Sequence, residues 1–129
     1  MSAALELHDT RIDDVNFSGT TATVDFPHAY IHKSKGAPGR DGGTGWSQEA
    51  LLVLSEVTLL GELPALPDTI SDGFLEVGGI KHVLLALPFK RKVAARLCLV
   101  FADGGRLEIA GKRPIVELLG RPLYVEEFK

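Results

Sequence analysis

The sequence predicts an all-β protein, an antiparallel sandwich or barrel of about seven to nine strands with at most one short helix. Three observations carry that expectation. Apolar residues recur with a period of two in several short stretches, which is the pattern of half-buried strands. Glycine-centred turn signals fall between successive apolar runs, as hairpins require. No segment sustains a 3.6-residue apolar period over three turns, so no amphipathic helix is indicated.

In chain order, "LELHDTRIDDVNF" (5–17) ends at Ser18 and Gly19, a turn signal that folds it back on the next strand. Its Ile12, Val15 and Phe17 break strict alternation, and a bulge near Asp13 and Asp14 would repair the phase. In "TTATVDF" (20–26), Ala22, Val24 and Phe26 alternate with Thr21, Thr23 and Asp25. If this strand runs on to His32, Pro27 must lie at an edge or a bulge, because proline offers no ladder donor. "EALLVLSEVTLLG" (49–61) is nearly continuously apolar and is read as a buried strand, with a short helix as the alternative. "GFLEVGGIKHVLLAL" meets its turn at Gly78 and Gly79, and "ARLCLVFADGGRLEIAG" at Asp103 to Gly105. In the latter hairpin Leu97, Leu99 and Phe101 share the core face, with Leu107 and Ile109 on the partner strand. "RPIVELLGRPLYVEEF" (113–128) reads as two short apolar pieces, each begun by a proline (Pro114, Pro122) and separated by Gly120; "IVELLG" could alternatively close a helical turn.

The chain has 129 residues, which suits one domain, and neither a repeat nor a boundary is visible. Two longer connections, 33–45 and 61–69, read as loops within that domain. With 14 basic and 17 acidic residues the net charge is −3, so no global field draws the protein to nucleic acid. The start of the chain meets acidic residues at once, and no run approaches the ~18 apolar residues of a membrane helix. A single cysteine, Cys98, inside "RLCLVF", forms no internal bridge and is expected as a small buried thiol. A reducing, cytoplasmic location fits this usage.

The stretch "FPHAYIHKSKGAPGRDGGTGW" (26–46) holds the candidate site residues His28, Tyr30, His32, Lys33, Lys35, Arg40 and Trp46. Alternation puts His28, Tyr30 and His32 on one side of a strand. Two histidines four residues apart on a strand are roughly 13 Å apart at ~3.3 Å per residue, too far to share one zinc at ~2.0–2.1 Å. No metal site is therefore expected. His8 beside Asp9 is not expected to form a dyad, since neighbours on a strand face opposite ways.

The glycine-rich loop with Lys33, Lys35 and Arg40 lacks the Gly-Lys-Ser/Thr ending and the following helix of a phosphate loop. It reads as a mobile connection able to touch an acidic partner. A second basic cluster, Lys90, Arg91, Lys92 and Arg96, would join it in one positive mouth if both fell at one end of the fold. Aromatics near the two clusters are too sparse to stack bases, so nucleic acid is not the expected partner. No G-x-S-x-G, H-E-x-x-H or paired C-x-x-C is present, and no catalytic residue can be nominated.

The opening "LELHDTRIDDVNFSGTTATVDFPHAYIH", about the first quarter of the chain, resembles the beginning of small bacterial all-β proteins, some of which are similar to immunity proteins of polymorphic toxin systems. The resemblance implies a compact β domain that binds and neutralises a protein partner, with no cofactor and no catalytic residues. The expected function is accordingly non-enzymatic protein binding, with self-pairing through an edge strand as a further way to associate. The rival is a small barrel enzyme or small-ligand carrier that uses the His28, Tyr30 and His32 face.

Overall fold

The computed structural model describes residues 1–129 and is all-β, with ten strands joined in one antiparallel sheet. These are β1 (Ser2–Glu6), β2 (Arg11–Ile12), β3 (Asp14–Ser18), β4 (Thr21–Ser34), β5 (Gly43–Leu60), β6 (Asp68–Val77), β7 (Ile80–His82), β8 (Leu84–Leu87), β9 (Ala94–Phe101) and β10 (Arg106–Phe128). Their spatial order is β2-β6-β9-β10-β5-β4-β1-β8, with β3 on β4 and β7 on β6. The expected class is correct. Strands number ten rather than seven to nine, and neither alternative helix forms.

The turn chemistry places the hairpins where the sequence indicates. Gly78 and Gly79 have φ of 57° and 84°, the double positive φ that a two-residue hairpin turn needs and that side chains resist. The β3–β4 turn lies at Gly19, and Asp13 separates β2 from β3 where the phase breaks. Its amide donates to the Asp25 carbonyl at 3.1 Å, so β3 leaves β2 without leaving β4.

Length is what the sequence concealed. "RPIVELLGRPLYVEEF" is not two pieces but the body of the 23-residue β10, paired with β5 from Glu108↔Leu60 to Phe128↔Gly43. The helical alternative for 115–120 fails because β5 already offers a matching ladder of donors and acceptors. Both strands bend at the same level. Glu56 and Arg113 have φ of 49° and 53°, and their side chains are tied by a 2.9 Å ion pair. The prolines fit without cost to the ladder, since Pro114 sits in this bend and the register shifts between Leu119 and Leu123 around Pro122.

Two segments bind the ends of the sheet to its middle. The β2–β3 stretch pairs with β6 through Arg11 and Ile12 and with β4 through Asp14 to Ser18. The stretch from β8 to Arg91 pairs first with β1 and then with β10, where Lys90 lies opposite Ile115. The core fills the space so enclosed. Phe26, Phe89, Phe101, Leu52, Leu54 and Leu75 are fully buried within it. Leu97, Leu99, Phe101, Leu107 and Ile109 all face inward as expected.

β4 carries a bulge. Phe26 pairs with Ala50 but Ala29 with Gln48, so Pro27 and His28 oppose one residue of β5. The inward positions accordingly change from Ala22, Val24 and Phe26 to Ala29 and Ile31. That shift of phase sets which side chains face outward in the second half of the strand.

Candidate functional site

After the bulge, His28, Tyr30 and His32 alternate with the buried Ala29 and Ile31 and so share the outer face, as expected. They do not act as one group. The rings of Tyr30 and His32 lie 4.8 Å apart, and Phe128 from β10 stacks on His32 at 5.4 Å. His28 stands apart at the bulge, exposed, in a shallow cleft shared with Gln48, Leu119 and Arg121.

The Tyr30–His32 cluster is closed by residues from distant parts of the chain. The Tyr30 hydroxyl donates to Glu126 Oε1 at 2.6 Å, and His32 Nε2 lies 3.6 Å from Glu6 Oε1. Register explains these neighbours: Glu6 pairs with Tyr30 on one side, and Gly45, which pairs with His32, pairs with Glu126 on the other. A Cβ at Gly45 would overlap the Tyr30 hydroxyl, so glycine is what leaves room for the phenol there. Burial, and then the Glu126 carboxylate, push the Tyr30 phenol well above its ordinary range.

The glycine-rich connection is shorter than 33–45 and is tied by hydrogen bonds. β4 runs through Ser34 and β5 starts at Gly43, leaving only 35–42 outside the sheet. The buried Ser34 Oγ donates to the Gly42 carbonyl at 2.7 Å and accepts from the Gly36 amide at 3.0 Å. Asp41 accepts from the Ala37 amide at 2.7 Å, and a Cβ on Gly39 would stand 2.8 Å from the Leu84 side chain. The loop thus folds back over β8. A cleft of about 250 Å³ opens between it and His32, lined also by Arg40, Asp41 and Phe128.

Lys33 and Trp46 occupy the opposite face. The Lys33 ammonium lies 4.6 Å over the indole, and the Trp46 and Tyr124 rings meet edge-on at 5.5 Å. Trp46 Nε1 donates to Thr44 Oγ1 at 2.8 Å. Lys35 and Arg40 are exposed on the loop. The second basic cluster belongs elsewhere: Lys90 lies against β10 at Ile115, Arg91 covers the Phe89 ring at 4.4 Å, and Arg96 bonds Glu108 at 2.9 Å on the outer face of β9. No cleft is lined by both clusters.

Two further expectations need correction. Cys98 is half-buried and faces outward, because Leu97 and Leu99 take the inward positions of β9. Its Sγ lies 3.6 Å from Glu108 Oε1, and burial raises the thiol's pKa although Arg96 opposes it. His8 and Asp9 do touch, with Nδ1 to Oδ2 at 3.2 Å, because they form a turn rather than a strand; both are well exposed and screened by solvent.

No group of three or more His, Cys, Asp and Glu side chains is arranged to hold a metal ion. Asp25 lies opposite Asp14 across the β3–β4 pair, and its Oδ1 is buried without a partner. Burial first, and the neighbouring Glu49 next, raise its pKa. No helix is long and apolar enough to cross a membrane.

Sequence reasoning missed Glu6, Glu126, Phe128 and Tyr124. They come from other strands of the chain: the β1–β4 register makes Glu6 a neighbour, and the β4–β5–β10 register the other three. Comparison of the chain with protein families, with curated proteins and with solved structures finds no match.

Proposed function

We propose that the protein is a non-enzymatic binding module that recognises another protein through the surface formed by Lys33, Trp46 and Tyr124. The observation that carries this reading is the Lys33–Trp46–Tyr124 stack, in which Tyr124 stands 56% exposed. Tryptophan and tyrosine supply large contact area at low entropic cost, and they are enriched in the energetic centres of protein interfaces. Lys35 and Arg40, exposed on the neighbouring loop, would speed encounter with an acidic partner. The resemblance of the opening residues to small bacterial all-β proteins, some of which are similar to immunity proteins, agrees with a partner met inside a bacterial cell.

The rival ligand-carrying role for the His28, Tyr30 and His32 face has less support. The Tyr30 hydroxyl is already committed to Glu126, and Phe128 covers the His32 ring. The test is affinity capture from a lysate with the parent chain and with Trp46→Ala. A stoichiometric protein held by the parent should bind the variant at least about 30-fold more weakly, the loss expected of a central aromatic. Equal retention by a Trp46→Ala protein of unchanged circular dichroism would remove this surface from consideration.

A further inference from the structure

One side of β10 is paired with β5 along its length, but the other side is covered only in part. β9 takes Arg106 to Lys112. The segment around Lys90 then takes over: the Val116 amide donates to the Phe89 carbonyl at 2.9 Å, and the Arg91 amide to the Pro114 carbonyl at 3.1 Å. From Glu117 to Phe128 no strand lies against this edge. Folded proteins usually guard a bare edge with charges or cover it. Here Leu123, Tyr124 and Val125 stand 61%, 56% and 48% exposed along it, and Arg121 is the only charge from Leu118 to Val125.

The charges at the two ends of this open edge are opposite. Lys90, opposite Ile115, and Lys92, level with Arg113, are exposed beside the covered end and outnumber Glu117 there, and Glu126 and Glu127 stand at the far end. A strand of uniform charge would be attracted at one end and repelled at the other. A second copy of the same edge, running antiparallel, matches both ends at once.

We propose that two copies of the chain associate along Glu117–Phe128 of β10, antiparallel about a two-fold axis near Pro122 and Leu123. Each copy then brings Glu126 and Glu127 towards the other's Lys90 and Lys92, while Leu123 of both copies meet on one face of the joined edge and Tyr124 on the other. Pro122 contributes no donor, and register shifts flank it, so a continuous ladder does not form and apolar contact carries most of the association. An interface built on one edge is small, and the expected dissociation constant is in the micromolar range. This surface is distinct from the Lys33–Trp46 stack, although Tyr124 borders both.

Sedimentation velocity of the full chain from about 1 to 200 µM, at low salt so that charges within ~10 Å or more still interact, tests the proposal. The parent should pass from monomer to dimer over that range. Leu123→Lys, at an exposed position and with unchanged circular dichroism, should remain monomeric. Lys90→Glu and Glu127→Lys should each weaken the dimer several-fold, and the double variant should recover it. A parent that is monomeric at every concentration, or a dimer indifferent to Leu123→Lys, overturns the proposal; failure of the double variant to recover overturns the antiparallel arrangement. A monomeric protein that still holds a Trp46-dependent partner would overturn self-association and leave the binding function standing.

Discussion

Ionisable side chains facing each other across strands respond to their surroundings more than to their sequence neighbours. Asp25 meets Asp14 directly and Glu49 diagonally, with a buried carboxylate oxygen left unbonded. Its pKa is higher folded than unfolded, so the stability it contributes is present below the ordinary aspartate value, near 4, and is lost as pH rises through the folded value. At pH 7 the charged group therefore strains the β3–β4 pair. Asp25→Asn should raise stability at pH 7 by roughly 0.2–1 kcal/mol, the range for relieving like charges across strands. The gain should vanish near pH 3, where the parent carboxyl is neutral as well. Denaturant midpoints of both proteins at the two pH values decide this, and a loss at pH 7 would show that the carboxylate bonds something the asparagine cannot. Tyr30 follows the same sign at the alkaline end: its neutral form favours the fold below about pH 10, and that contribution fades as pH rises through the higher folded value. Ultraviolet titration should find one of the two tyrosines resisting ionisation in the native protein, and Tyr30→Phe should abolish that resistant step.

The elements differ in how far the sequence exposed them. Hairpins joined by glycine turns were readable because turn chemistry and alternation act over a few residues: Gly78–Gly79 and the face of Leu97, Leu99 and Phe101 needed nothing from elsewhere. Phe101, 1% exposed, should cost about 3–5 kcal/mol when replaced by alanine, as for other buried aromatics, and an unchanged denaturation midpoint would mean the face is misassigned. The 23-residue β10 was not readable, since Pro114, Gly120 and Pro122 are local stop signals that only the paired β5 overrides. The bounds of the loop were misread for the same kind of reason, since Lys33, Ser34 and 43–45 belong to the strands. Its glycines suggest mobility, but the anchoring hydroxyl of Ser34 is buried by the fold, at 2% exposure. Ser34→Ala leaves the Gly36 amide and the Gly42 carbonyl without their partner and should destabilise by about 1–3 kcal/mol. Hydrogen exchange should find the Gly36 and Ala37 amides protected in the parent, and fast exchange at both would return the loop to the mobile class. Of the candidate site, the shared face of His28, Tyr30 and His32 was legible from alternation; their carboxylate and aromatic neighbours were not, because those arrive from β1 and β10.

At the scale of the whole molecule, the chain is held by pairings between residues remote in sequence. β1 is fixed only by β4 and β8, so Ala3 waits for Lys33 and Leu87; Gly43 pairs with Phe128, and Leu60 with Glu108. Each such contact requires a long stretch of chain to be gathered before any ladder bond rewards it. The local hairpins, β3–β4, β6–β7 and β9–β10, can form early, but none of them encloses the core without β5 laid between β4 and β10. Refolding should therefore be governed by the assembly of β4, β5 and β10 and should take milliseconds to seconds, the range of β proteins with non-local topology. Phe101→Ala, in the local β9–β10 hairpin, should slow refolding less per unit of lost stability than Leu52→Ala, whose side chain joins β5 to β4 opposite Val24. Stopped-flow fluorescence of Trp46, which sits between Ile31 and Tyr124, reports when those three strands come together. Complete recovery of that signal within tens of microseconds would mean that the strands pair without waiting for distant chain, and the order of assembly argued from their register would be wrong.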